Sequence, residues 1–249
     1  MENYIFGIRP VIEAIKSGAD IDKVLIKKDI DSANASELFS LAKEYQIVIQ
    51  RVPQEKLNRI TKKNHQGVVA FLSAITYHRL ENLVPELYED GIVPFIVVLD
   101  GITDVRNFGA IARTCECAGV SAIVIPEKGS VSVGADAVKT SAGALLSIPV
   151  CRESSMNKAV RFLLDNGYSV ISATEKASQL YTMPDYTVPT AIVMGNEETG
   201  ISESILKISS DLVAIPQFGN IGSLNVSVAA GIMIYEVVNQ RMKANMQIL

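Results

Sequence analysis

The sequence predicts an α/β protein with a buried parallel sheet, preceded by a smaller α/β unit. Three observations carry this. Apolar runs of strand length, such as Phe95-Ile96-Val97-Val98-Leu99 and Ala191-Ile192-Val193-Met194, recur with helical patterns between them. Their continuous apolar character is that of strands buried on both faces of a parallel sheet. Several runs end in polar residues, and the carboxyl ends of strands are where open α/β sheets place their sites. At 249 residues, 48% hydrophobic and 20% charged, the chain is long enough to bury such a core.

The elements follow in order. Residues 1–78 form the first unit, with a helix over 10–16, a strand over 23–26, an amphipathic helix over 33–45 and a strand over 47–51. A helix over 53–60 opens on Pro53, and an apolar strand covers 68–72. Between these last two, residues 59–67 make a basic polar loop, either a solvated turn or a phosphate contact. Residues 79–93 are polar and acidic, punctuated by Pro85 and Gly91, and read as a part-helical linker. From 94 to 249, strands over 95–99, 122–125, 169–173, 191–194 and 212–215 alternate with helices over 110–118, 135–145 and 156–166. The last helix, 226–243, is apolar on nearly every side (Val226, Val228, Ile232, Met233, Ile234, Val237). A helix without a polar face is buried or lies in an interface. At the end of an α/β domain it points to a homodimer contact.

Composition excludes several classes. The apolar run 92–99 is far short of the ~20 residues that span a bilayer. The chain start has neither a basic segment nor an apolar one, so no secretory signal is expected. Three cysteines and two histidines suggest reduced thiols in a cytoplasmic protein with no metal site. A net charge of −4 argues against nonspecific coating of nucleic acid. The charge is uneven, however: residues 1–78 carry 11 Lys/Arg against 9 Asp/Glu, and residues 79–249 carry 12 against 18. A mildly basic first part fits an RNA-gripping module. None of the 16 glycines is separated from another by a single residue, which excludes the dinucleotide-binding fingerprint. Gly195 and Gly200 have the spacing of a phosphate loop without the Lys-Ser/Thr that should follow.

Three segments remain: Asn107-Phe108-Gly109-Ala110-Ile111-Ala112-Arg113, then Gly195-Asn196-Glu197-Glu198-Thr199-Gly200, then Ile215-Pro216 with Ser223-Leu224-Asn225-Val226-Ser227-Val228-Ala229. In order and spacing they resemble the three motifs of the SpoU (TrmH-like) family of SPOUT RNA methyltransferases, which methylate ribose 2′-hydroxyls with S-adenosylmethionine. One departure is Asp104-Val105-Arg106, where the family has an Asp-Pro pair. Residues 4–11 and His65-Gln66-Gly67-Val68-Val69-Ala70 resemble the family's small substrate-binding domain. That two-domain layout is shared by members that modify a guanosine of 23S rRNA.

The resemblance implies a trefoil-knotted SPOUT domain over 94–249, an RNA substrate-binding domain over 1–78, and a homodimer whose sites draw on both subunits. It implies S-adenosyl-L-methionine as cofactor, against Gly195, Ile215, Pro216, Ser223 and Leu224, with Ser141 and Gly143 as further lining. It assigns catalysis to Asn107, Arg113, Glu197, Ser223 and Asn225. A guanidinium is never neutral in proteins, so Arg113 is expected to bind the phosphate beside the reacting ribose and favour its oxyanion. Otherwise it is a helix-surface residue paired with Glu116. Asn107 positions ribose or Arg113, or else caps a helix. Glu197 anchors Arg113 or Asn107, or is merely exposed. Ser223 and Asn225 cap the last helix, line the site, or do both. Alternatives are a tRNA ribose methyltransferase, a non-catalytic RNA-binding assembly factor, and a small-molecule α/β enzyme.

Overall fold

The computed structural model describes residues 4–45, 47–89 and 91–246, with the backbone alone for 32–34; the chain start at 1–3 and Asp90 of the expected linker lie outside the described residues. The chain divides into two units, Met1–Thr76 with Ser132–Ala135, and Tyr77–Val131 with Asp136–Leu249.

The first unit runs β1 (Tyr4–Phe6), α1 (Ile8–Lys16), β2 (Ile21–Lys27), α2 (Ser32–Glu44), β3 (Ile49–Val52), α3 (Gln54–Ile60) and β4 (Val68–Leu72). Its sheet has the order β1-β4-β2-β3, parallel only between β2 and β3. Side chains alternate across strands. Val24, Ile26, Val68 and Ala70 therefore share one core with Val11, Ile12 and Ile15 of α1 and Leu38 of α2. On the opposite face, Leu25 and Val69 pack with Leu57 of α3.

The second unit begins with α4 (Leu80–Glu89), β5 (Phe95–Asp100), α5 (Val105–Cys117), β6 (Ala122–Pro126), α6 (Ala135–Thr140) and a 3-10 turn at Ala144–Leu146. It continues through β7 (Val150–Glu153), α7 (Met156–Asp165), β8 (Ser169–Ala173), β9 (Gln179–Leu180), β10 (Thr190–Gly195), α8 (Glu203–Leu206), β11 (Asp211–Ala214) and α9 (Val226–Met246). The sheet order is β7-β6-β5-β10-β8-β11-β9, and every pair is parallel. Residues Phe95 to Leu99 are all at most 2% exposed, as a sheet covered on both faces requires. The chain builds β5, β6 and β7 outward, then returns to place β10 between β5 and β8. That reversal opens a crevice at the carboxyl ends of the central strands.

Two expectations shift. The segment 79–93, read as a part-helical linker, carries α4 as part of the second unit's core. Its Leu80, Leu83, Val84 and Leu87 recur at helical spacing and are buried against β5, β6 and α7 in the core of the second unit. Pro85 removes one helical donor, and this apolar face holds the helix regardless. The helix expected over 135–145 stops at Thr140, because Ala142 (φ 52) and Gly143 (φ 90) turn left-handed.

Candidate active site

A cavity of about 410 Å³ lies at the ends of β8, β10 and β11, within the usual range for a small-molecule site. Its shape depends on the turn after β10. Asn196 and Gly200 exchange backbone hydrogen bonds of 3.1 and 2.9 Å. The Asn196 side-chain oxygen accepts from the backbone of Glu198 (2.9 Å) and Thr199 (3.2 Å), while its Nδ2 donates to the Gly101 carbonyl at 2.8 Å. Asp100, ending β5, accepts from the Ser202 backbone N–H (2.7 Å) and hydroxyl (2.6 Å). The turn is thereby fastened to the neighbouring strand. At Gly195 a Cβ would stand 2.3 Å from the Gly200 carbonyl carbon. Only glycine lets this loop close.

Helix α5 begins five residues before its expected start. Asp104 caps it, accepting from the backbone of Arg106 (2.8 Å) and Asn107 (2.9 Å). Val105 occupies the first helical position, where the family's proline would also be tolerated. At Gly109 a Cβ would come within 2.5 Å of the Thr140 side chain, so this glycine sets the approach of α5 to the end of α6. Because Asp104 is the cap, the Asn107 side chain is free for another task. Its Nδ2 donates to Glu197 Oε1 at 2.7 Å, and its Oδ1 accepts from Asn225 Nδ2 at 3.1 Å. Asn225 in turn accepts from the Ser227 backbone at 2.9 Å and caps α9. One hydrogen-bonded chain therefore joins all three motifs. A carboxylate can only accept, so Glu197 fixes which end of the Asn107 amide faces Asn225.

Of the expected site residues, Gly195, Glu197, Ile215, Ser223 and Leu224 line the cavity. Asn107 stands outside the lining but bonds Glu197 there, Asn225 is joined to Glu197 only through Asn107, and Pro216 is not among the lining residues. Glu197 anchors Asn107 and not Arg113. Arg113 is exposed on α5, away from the lining, and makes no hydrogen bond or ion pair among the described residues, with Glu116 or otherwise. Ser141 is fully buried and bonds within its own turn to Val138 and Leu145. Neither it nor Gly143 reaches the cavity.

Thr174, Glu175 and Lys176, following β8, also line it. Polar residues closing an apolar strand were a visible signal there too, though no motif marked them. Glu175, Glu197 and Glu198 against Lys176 give the cavity an acidic balance. Burial pushes the Cys151 thiol up to about 12 and raises that of Cys115, so neither is a poised nucleophile. Among the described residues, no group of His, Cys, Asp and Glu side chains could hold a metal ion, and no helix is long and apolar enough to cross a membrane.

Residues 94–235 match the SpoU rRNA Methylase family, and residues 4–78 match the family described as RNA 2′-O ribose methyltransferase substrate binding. A Staphylococcus saprophyticus protein, assigned by name to the TrmH family of tRNA/rRNA methyltransferases, is 34% identical over 96% of both chains. The crystal structure of an AdoMet-bound rRNA methyltransferase from Sinorhizobium meliloti superposes with a TM-score of 0.60 at 25% identity, covering 95% of this chain and 86% of that one. A TrmH/SpoU tRNA modifying enzyme from A. aeolicus gives 0.56 at 28% identity, covering 67% of this chain and 86% of its own.

Proposed function

This chain belongs to the SpoU rRNA methylase family, and from that premise we propose that it methylates the 2′-hydroxyl of a guanosine ribose in 23S rRNA, using S-adenosylmethionine. The observation that carries the reading is the chain Glu197–Asn107–Asn225 beside the cavity. These polar side chains come from three distant segments and need one another only if their orientation matters. The cavity suits the cofactor. Its acidic balance favours a ligand bearing a sulfonium and an ammonium, and the turn at Gly195 offers backbone groups at close range. Ser223, Leu224 and Ile215 would hold the ligand with that turn. Bound there, it supplies an electrophilic methyl group on sulfur.

The protein's share is to orient and polarise the ribose hydroxyl. Asn107, fixed at both ends of its amide, positions the ribose. Arg113, permanently charged, binds the adjacent phosphate and stabilises the developing oxyanion, while the hydroxyl proton passes to solvent water. Its exposed place on α5, the helix packed against α9, has it serve the partner subunit's cavity in a homodimer. Support for that dimer comes from α9. Val228, Tyr235 and Met242, seven residues apart on one side of the helix, are each at least half exposed. The trefoil knot belongs to the same reading and rests on the family membership alone. Ribosomal RNA is favoured over tRNA because the chain carries the whole substrate-binding unit, whereas the A. aeolicus tRNA enzyme aligns with two thirds of it.

The test is transfer of labelled methyl from S-adenosylmethionine to rRNA and tRNA isolated from cells lacking the protein. A single 2′-O-methylguanosine in 23S rRNA is expected. Label in tRNA alone would overturn the substrate, and label in neither RNA would overturn the activity.

A further inference from the structure

The sheet face that α3 covers in the first unit is only partly closed. Register pairs Phe71 with Lys23 and with Tyr4, and Leu25 with Gln50, so all of these point to that face. With seven residues, α3 is roughly 10 Å long, and its Leu57 packs on Leu25 and Val69. Beside it remains a groove of about 610 Å³ with apolar walls from Leu25, Ile60 and Phe71. Phe71 is half-buried against the Tyr4 ring, 6.1 Å away between centroids. Along the rim, Lys56 and Arg59 stand three residues apart on one face of α3, both exposed. Gln50, half-buried in the same wall, has no side-chain hydrogen bond among the described residues. Lys23 lies over the Phe71 ring at 5.4 Å, and its ammonium is already held by the Ser132 hydroxyl at 2.9 Å.

We propose that this groove takes one unpaired nucleotide of the RNA: the base against Ile60 and Phe71, its edge read by Gln50, its phosphate on Lys56 and Arg59. RNA as the substrate class is taken from the function proposed above; the subsite goes beyond it. Three features select a nucleotide. The walls suit a flat ring. Gln50 offers one donor group and one acceptor, the complement of a base edge. Two cations on the rim, against the single carboxylate of Glu55, leave a positive balance for one phosphate. An apolar peptide would leave the Gln50 amide buried without a partner and make no use of the cations. A base inside a duplex could not enter, so the groove selects single-stranded or bulged RNA.

The test measures binding of the full chain to a short labelled oligouridylate, and to an abasic ribose-phosphate chain of equal length, at low and moderate salt. The intact oligonucleotide should bind more tightly than the abasic one. Gln50→Ala and Phe71→Leu should each weaken the oligouridylate by roughly 5- to 100-fold, the range for loss of one base contact, and leave the abasic chain unchanged. The double variant Lys56→Ala/Arg59→Ala should weaken both ligands and flatten the salt dependence. No wild-type binding to oligouridylate overturns the proposal. So does equal affinity for the two ligands, or wild-type affinity in both Gln50→Ala and Phe71→Leu. Gln50→Ala guards against a folding defect in Phe71→Leu, and thermal melting reports on both. S-adenosylhomocysteine affinity is followed in parallel: its absence counts against the proposed enzyme, whereas an unaltered value with unaltered RNA binding counts against the groove alone.

Discussion

Asn107 and Arg113 share a helix and a motif, yet the fold treats them differently. Asp104 takes the cap, which leaves both ends of the Asn107 amide to Glu197 and Asn225. Arg113 is turned to solvent with no partner of its own among the described residues. An unpaired exposed guanidinium fits a group that waits for a phosphate. Arg113→Ala is therefore expected to abolish methyl transfer, and Arg113→Lys, which keeps the charge but loses the planar fork, to slow it on the order of 10²-fold. Both variants should still bind S-adenosylhomocysteine, because Arg113 does not reach the cavity. Single-turnover methylation at several pH values separates the possible roles. A base would let the lysine variant recover as pH rises, whereas an electrostatic role predicts no recovery beyond the wild-type trend. Near wild-type turnover in Arg113→Ala would reduce the residue to surface. At this scale the motifs made the partners legible, but not the pairing. That Glu197 would choose Asn107 over Arg113 depends on a cap whose position a shift of five residues decides.

Among the elements, apolar continuity made the central strands readable, and the misses have physical causes. Strand β7 (Val150–Glu153) ends in Arg152 and Glu153, which break its apolar run. Both find partners: Arg152 lies over the Tyr77 ring at 4.5 Å, and Glu153 accepts the Leu80 backbone N–H at 3.2 Å. Pro85 and its acidic surroundings made α4 read as part of a linker and not as a core helix, although its Leu80, Leu83, Val84, Leu87 spacing was in plain view. Glu153, which ends β7 and accepts from the first residue of α4, supplies a prediction. Burial raises its pKa above the ordinary carboxylate value despite the Leu80 hydrogen bond. The native state thus holds this proton more tightly than the unfolded chain does. Stability from that proton is complete below the unfolded carboxylate pKa of about 4.3 and is lost as pH rises through the higher native value. Glu153→Gln keeps an acceptor for Leu80 and removes the ionisation. Its melting temperature relative to wild type should therefore be higher at about pH 8 than at about pH 4. An equal difference at both pH values would show that Glu153 does not titrate with unfolding.

At the scale of the whole molecule, the division into two units was visible in the charge asymmetry and the resemblance. The position of their boundary was less so, because α4 belongs to the core of the second unit. In the same unit Arg241 of α9 ties together the segments that lead into β5 and β10, donating to the carbonyls of Val93 (2.7 Å), Pro94 (3.1 Å), Tyr186 (3.0 Å) and Val188 (3.0 Å). The other side of α9 bears the exposed stripe. Tyr235→Glu, placing a charge at its middle, should give a monomer in sedimentation that binds S-adenosylhomocysteine yet transfers no methyl. A Tyr235→Glu protein that stays dimeric would place the contact elsewhere. The sheet order also has a consequence during synthesis. Strand β5 must pair with β10, whose first residue is translated about ninety residues after β5 is complete. At ribosomal speeds of roughly 5–20 residues per second, the nascent chain carries an unpaired apolar edge for on the order of ten seconds. A growing polypeptide in that condition is a natural client for a ribosome-bound chaperone, and its yield should depend more on translation pace than its finished stability would suggest.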